Sequence, residues 1–147
     1  MAKEIERKFL VNGSDYKAKA VKVKKICQGY LSRDPDRTVR VRLIDDVHGF
    51  LTVKTRNSGA TRGEWEYPVP ASDARDMLEA CTGLVEKTRY VVPEASGLSW
   101  EVDEFHGRHE GLVVAELEIP SEDYPFVKAE FIGEEVTGDP KYYNSNL

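Results

Sequence analysis

Cysteine is scarce in this chain. Its 147 residues include only Cys27 and Cys81, which form neither a disulfide framework nor a metal-ligand spacing. Both read as buried structural thiols, Cys27 opening a strand-like run and Cys81 closing a helical one. Histidine is almost as rare. His48, His106 and His109 stand in expected loops beside glycines, without ligand spacing, and read as solvent-exposed. No apolar stretch is long enough to span a bilayer, and Met1-Ala2-Lys3-Glu4 leads into a charged run with no apolar leader. A reducing cytoplasm is the consistent address. Repeats, low-complexity tracts and linkers are also missing, so residues 1–147 are expected to form one domain. A basic surplus is missing too: the net charge of −5 argues against a nucleic-acid scaffold.

Charge itself is abundant, at 32% of residues against the usual quarter, and it is patterned. Like charges stand two residues apart in the acidic pairs Glu4/Glu6, Glu64/Glu66, Glu101/Asp103 and Glu116/Glu118. The basic pairs are Arg40/Arg42, Lys54/Arg56 and Lys87/Arg89. Residues i and i+2 of a strand share a face. Each pair therefore projects to one side, while Ile5, Val41, Val53, Trp65, Val102 and Leu117 project to the other. Acidic and basic pairs converging on one site suit a divalent cation bridging to a polyanion, which points toward phosphate chemistry.

Period-2 patterning predicts eight strands, at about 3–11, 26–32, 37–44, 49–56, 64–69, 86–92, 99–105 and 112–119. Hairpins are expected through Val47-His48-Gly49 and through residues 106–111. A helix is predicted from an N-cap at Ser72 or Asp73, with Met77, Leu78 and Cys81 on one side and Gly83 as its stop. Shorter helices are predicted at about 14–20 and 121–129, and a final turn at Asp139-Pro140. The fold class is α+β, mainly antiparallel β. The charged faces could lie on the wet side of an open sheet. They could instead line the lumen of a closed barrel, which would need opposite charges, metal ions or a ligand to balance them. Trp65, Trp100 and Phe105 read as packing residues.

The opening Glu4-Ile5-Glu6-Arg7-Lys8 resembles the ExExK signature of the CYTH superfamily, the triphosphate tunnel metalloenzymes. The other charged pairs follow in that family's order. The closing Gly133-Glu134-Glu135-Val136-Thr137 with Tyr142, Tyr143 and Asn144 is similar to the end of its short bacterial members. The resemblance implies a closed eight-stranded antiparallel barrel with a few flanking helices, enclosing a charged tunnel. It implies a triphosphate substrate held with Mg²⁺ or Mn²⁺.

By resemblance, Asp103, Glu116 and Glu118 match ligands of a first metal, and Glu4 and Glu6 ligands of a second. Glu64, Glu66 and Glu101 match supporting tunnel acids. Lys8, Arg40, Arg42, Lys54, Arg56 and Arg89 match a phosphate clamp, a role that suits the guanidinium fork and the compact ammonium. Lys87 and Tyr30 match a lysine–tyrosine pair assigned to water activation, with a plain phosphate contact and a barrel-wall residue as the alternative.

The reading that follows is metal-dependent hydrolysis of inorganic tripolyphosphate to pyrophosphate and phosphate. An organic-triphosphate enzyme (a nucleoside or thiamine triphosphatase, or an adenylate cyclase) and a non-catalytic polyphosphate-binding module are the alternatives. The expected partner is a small-molecule triphosphate, with no nucleic acid and no membrane, and a homodimer stays open.

Overall fold

A computed structural model describes residues 3–147 of the chain. Alternating side chains give nine strands: β1 (Lys3–Val11), β2 (Lys22–Ser32), β3 (Arg37–Ile44), β4 (His48–Thr55), β5 (Thr61–Val69), β6 (Val85–Pro93), β7 (Ser99–Phe105), β8 (Val113–Glu118) and β9 (Ile132–Glu135). All pairings are antiparallel, in the order β5-β4-β3-β2-β6-β7-β8-β1-β9. The N-terminal half of β1 also pairs with β5, Glu4 opposite Arg62. That pairing closes eight strands into a barrel, and β9 adds to β1 beside the seam. Closure leaves no open sheet and decides between the two readings of the charged faces.

The apolar partners of the charged pairs point outward and must be covered. One cluster joins Phe9, Trp100, Val102, Leu117 and Phe131, with Phe9 and Trp100 edge to face at 5.6 Å. A second packs Val41 and Leu43 under Ala74 and Leu78 of α2 (Ala71–Glu79). The fold thus has cores on its outside and charge on its inside. α2 starts after Pro70 and not at Ser72 or Asp73. Gly83 lies beyond its end, in the left-handed region at φ +65°. Gly29 lets the end of α2 approach β2, because a Cβ there would stand 2.7 Å from the Cys81 Cβ. Cys27 and Cys81 are free and half-buried, not fully buried as their patterning suggests.

The helix predicted at 121–129 is absent. Pro125 has no N–H and pushes Tyr124 away from helical angles, while Glu94 Oε2 accepts the Val127 N–H at 2.7 Å. The segment instead runs irregularly over the first core with Tyr124, Phe126 and Ala129 packed inward. The predicted helix at 14–20 shortens to α1 (Tyr16–Lys19), and the turn at Asp139-Pro140 forms as a 3₁₀ turn, Pro140–Tyr142. The β3–β4 hairpin turns at Asp45 and Asp46, with φ of +52° and +61°. Both left-handed angles fit the tight turn that matches strand twist. Among the described residues no helix is long and apolar enough to cross a membrane.

Candidate active site

The barrel encloses a cavity of about 180 Å³, several times the roughly 30 Å³ that one water occupies in the liquid. Strand register sorts its lining into two walls. Glu4 and Glu6 of β1, Glu116 and Glu118 of β8 and Glu101 of β7 form an acidic wall. Arg40 and Arg42 of β3, Lys54 of β4 and Arg89 of β6 form a basic one. Glu64 and Glu66 of β5 also face the cavity.

The walls are partly paired. Lys54 Nζ lies 2.9 Å from Glu4 Oε1 and 3.2 Å from Glu64 Oε2, and Arg62 Nε lies 2.9 Å from the same Glu4 oxygen. Arg89 grips Asp103 through Nε and Nη2 at 2.8 and 2.9 Å and reaches Glu101 at 3.2 Å. Arg40 donates to Thr52 at 3.2 Å and to Glu66 at 3.4 Å. Its buried Nε has no hydrogen-bond partner. Leaving a buried donor unmet is unfavourable.

Other charges face their own kind. Glu6 stands opposite Glu118, and Glu101 opposite Glu116, an arrangement that destabilises a strand pair unless a proton or cation intervenes. Burial, then Glu116 and Glu4, push the Glu6 carboxyl well above its ordinary range. Glu118 rises through burial and through Glu4 and Glu101. Burial and a hydrogen bond that its protonated carboxyl donates to Glu4 raise Glu64 to about 6. Burial works the same way on Glu4, but Lys54 and Arg62 overcome it and hold Glu4 at about 2. Asp103, buried between Arg89 and Lys87, also falls to about 2 because those cations outweigh its burial.

Lys87 responds as a buried amine. Loss of solvent lowers it to about 7, with Asp103 opposing and Arg89 and Arg42 adding to the fall. Its Nζ is 2.7 Å from Asp103 Oδ2 and 3.0 Å from Asn144 Oδ1. Lys87 and Asp103 are 1% exposed and stand behind the cavity surface, whereas Tyr30 lines it. Lys8 is buried against Tyr142 O at 3.0 Å and Glu116 Oε1 at 3.8 Å.

Two clamp residues fall outside the cavity lining, Lys8 behind its surface and Arg56 on the exterior. β4 ends at Thr55, so Arg56 leaves the period-2 register and pairs with Asp36 on the surface. Of the histidines, His48 is exposed, but His106 is bound to Thr88 at 2.7 Å and His109 packs edge to face on Phe105. The sequence reading missed Arg62, Thr38, Thr52 and Asn144, all on the cavity. Extending the period-2 face by one step would have found three of them. Arg62 precedes Glu64, Thr38 precedes Arg40 and Thr52 precedes Lys54. Asn144 comes from a turn after β9 and carries no strand signal.

A divalent cation fits this lining in kind. The acidic wall supplies only hard carboxylate oxygens, and its facing pairs need positive charge between them. Among the described residues no three acidic, histidine or cysteine side chains close on one point. A cation here would therefore complete its oxygen shell with phosphate and water.

Comparison with known proteins decides the family. The CYTH domain matches residues 2–143. The chain belongs to the CYTH family. This CYTH chain is 50% identical over 151 residues to an inorganic triphosphatase of Acetivibrio thermocellus, covering 100% of this chain and 94% of that protein. It is 36% identical over 149 residues to an inorganic triphosphatase of Nitrosomonas europaea, covering 98% and 95%. Its fold is similar to the crystal structure of the inorganic triphosphatase NE1496, with a TM-score of 0.66, 33% identity, and 97% and 95% coverage.

Proposed function

We propose that this CYTH chain hydrolyses inorganic tripolyphosphate to pyrophosphate and phosphate with the help of Mg²⁺ or Mn²⁺. The observation that carries the reading is the opposition of an acidic and a basic wall inside one closed barrel. Likeness to inorganic triphosphatases over the full chain supports it.

Phosphoryl transfer asks mainly for positioning and charge neutralisation. Arg40, Arg42, Lys54 and Arg89 would hold the phosphate oxygens. Glu6, Glu116 and Glu118 would hold a cation, with Glu4, Glu64 and Glu101 beside them and Asp103 kept ionised by Arg89 and Lys87. When bound, the cation would neutralise phosphate charge and acidify a water. Lys87, lowered to about 7, suits a group that takes the proton of the attacking water, and Tyr30 faces the same cavity. Water attacks the terminal phosphorus in line, the bond to the bridging oxygen breaks, and pyrophosphate leaves neutralised by the basic wall. The two free thiols suit a reducing cytoplasm.

Product analysis by phosphorus NMR tests this reading. One phosphate and one pyrophosphate per tripolyphosphate supports it. No cleavage with either metal refutes it.

A further inference from the structure

Four side chains brought together from distant parts of the chain form one hydrogen-bond relay. Arg42 Nε donates to Gln28 Oε1 at 2.9 Å. Gln28 Nε2 donates to Asn144 Oδ1 at 3.3 Å. Lys87 Nζ donates to the same Asn144 oxygen at 3.0 Å. Gln28 is 0% exposed and Lys87 1%, so water competes for neither.

The polarity of the relay follows from its first member. A guanidinium has donors only, so Gln28 must turn its carbonyl to Arg42 and its NH₂ to Asn144. Asn144 then meets donors on both sides and presents its oxygen to both. Lys87 has a second acceptor, Asp103 Oδ2 at 2.7 Å. With two of the three free tetrahedral directions at Nζ taken, the third is fixed, whether it carries a proton or a lone pair.

We infer that Asn144 is a positioning residue of the hydrolytic reaction, aiming the Lys87 amino group through its side-chain oxygen. The inference rests on the proposed role of Lys87 in handling the proton of the attacking water. Asn144 stands on the cavity surface, and the Lys87 amino group lies directly behind it. The turn Asn144–Asn146 is held to the barrel on either side of Asn144. Lys8 Nζ binds Tyr142 O at 3.0 Å, and Arg33 binds Ser145 O. Asn146 ties the turn back to Pro140 O at 2.8 Å without touching the relay. A side chain that merely filled space would need neither this fixed polarity nor anchoring on both sides.

The test measures kcat and KM for tripolyphosphate in the whole chain at saturating Mg²⁺, with melting temperatures alongside. Asn144→Ala is expected to lose kcat on the order of 10- to 100-fold, the scale of a misplaced reacting group, with KM within about 3-fold of wild type. The Lys87→Ala/Asn144→Ala double variant is expected to be no slower than Lys87→Ala alone, since residues acting as a unit do not add. Asn144→Asp, which keeps an acceptor oxygen, recovers part of the loss. Asn146→Ala, which loosens only the turn, keeps wild-type kcat. If Asn144→Ala fails to fold, Gln28→Leu breaks the relay from inside the barrel and enters the same cycle. Losses that multiply in the double variant, or equal losses in Asn144→Ala and Asn146→Ala, overturn the inference. Wild-type kcat in Lys87→Ala overturns it together with the Lys87 role, while leaving tripolyphosphate hydrolysis by the wild type standing.

Discussion

Lys54 of β4 reaches past β5 to place its Nζ 2.9 Å from Glu4 Oε1 of β1, so that one ion pair spans the seam at which the barrel closes. Arg62 meets the same oxygen from β5, and Glu64 meets the same lysine. The closure of the fold and the charge balance of the cavity are thus one arrangement.

Lys54→Met therefore affects both binding and folding. It is expected to raise KM for tripolyphosphate by about tenfold, the worth of one charged contact. It is also expected to lower stability by about 1–3 kcal/mol, because Glu4 loses one of its buried donors. Steady-state kinetics and urea unfolding read the two effects separately.

Arg56→Ala is expected to change kcat/KM by less than about 2-fold, since exposed ion pairs such as Arg56–Asp36 contribute little. Arg40→Lys keeps the charge but loses the fork, and KM is expected to rise about tenfold. Assays of the two variants in parallel separate the cavity residue from the surface one.

The rate is expected to rise with pH through about 7. Below that value Lys87 holds its proton, and above it the amine is free to accept one. A pH profile of kcat in wild type and Lys87→Met checks this, and the variant should lose the limb. A limb that survives in the variant would assign the titration elsewhere.

Acid stability has the opposite origin. Glu4 and Asp103 have folded values of about 2 against ordinary values of 4.5 and 3.8. The unfolded chain therefore takes up protons first as pH falls. Their stabilisation is complete above about pH 5 and lost progressively toward pH 2. Thermal melts in EDTA across that range are expected to show this decline, flattened in Glu4→Gln.

Chelation is expected to abolish turnover and restoration of Mg²⁺ to recover it. The metal should also raise the melting temperature more at pH 8 than at pH 5. Glu6 and Glu64 hold protons more tightly than ordinary carboxyls, so at low pH protons compete for the same oxygens. Scanning calorimetry with and without Mg²⁺ at both values reads the difference.

Most of the barrel was legible because charged and apolar residues alternate cleanly along it. Glu4/Glu6 and Glu116/Glu118 carry that period without interruption, and their strands form as read. Patterning failed where it stopped at an element's end. Arg56 shares the spacing of Lys54 but lies one residue past β4. Arg62 belongs to β5, which begins before its apolar residues do. The predicted helix at 121–129 was undone by Pro125, a local rule outranked in that reading by favourable acidic residues at its start. Asn144 was not legible as a site residue, since only the tertiary path of the turn after β9 brings it beside Lys87.

The most direct test of the account is phosphate release from tripolyphosphate, ATP and thiamine triphosphate, each with Mg²⁺, Mn²⁺ or EDTA. The account predicts rapid metal-dependent release from tripolyphosphate, little from the two organic substrates, and none in EDTA. No release from tripolyphosphate by folded, metal-supplied protein would contradict it.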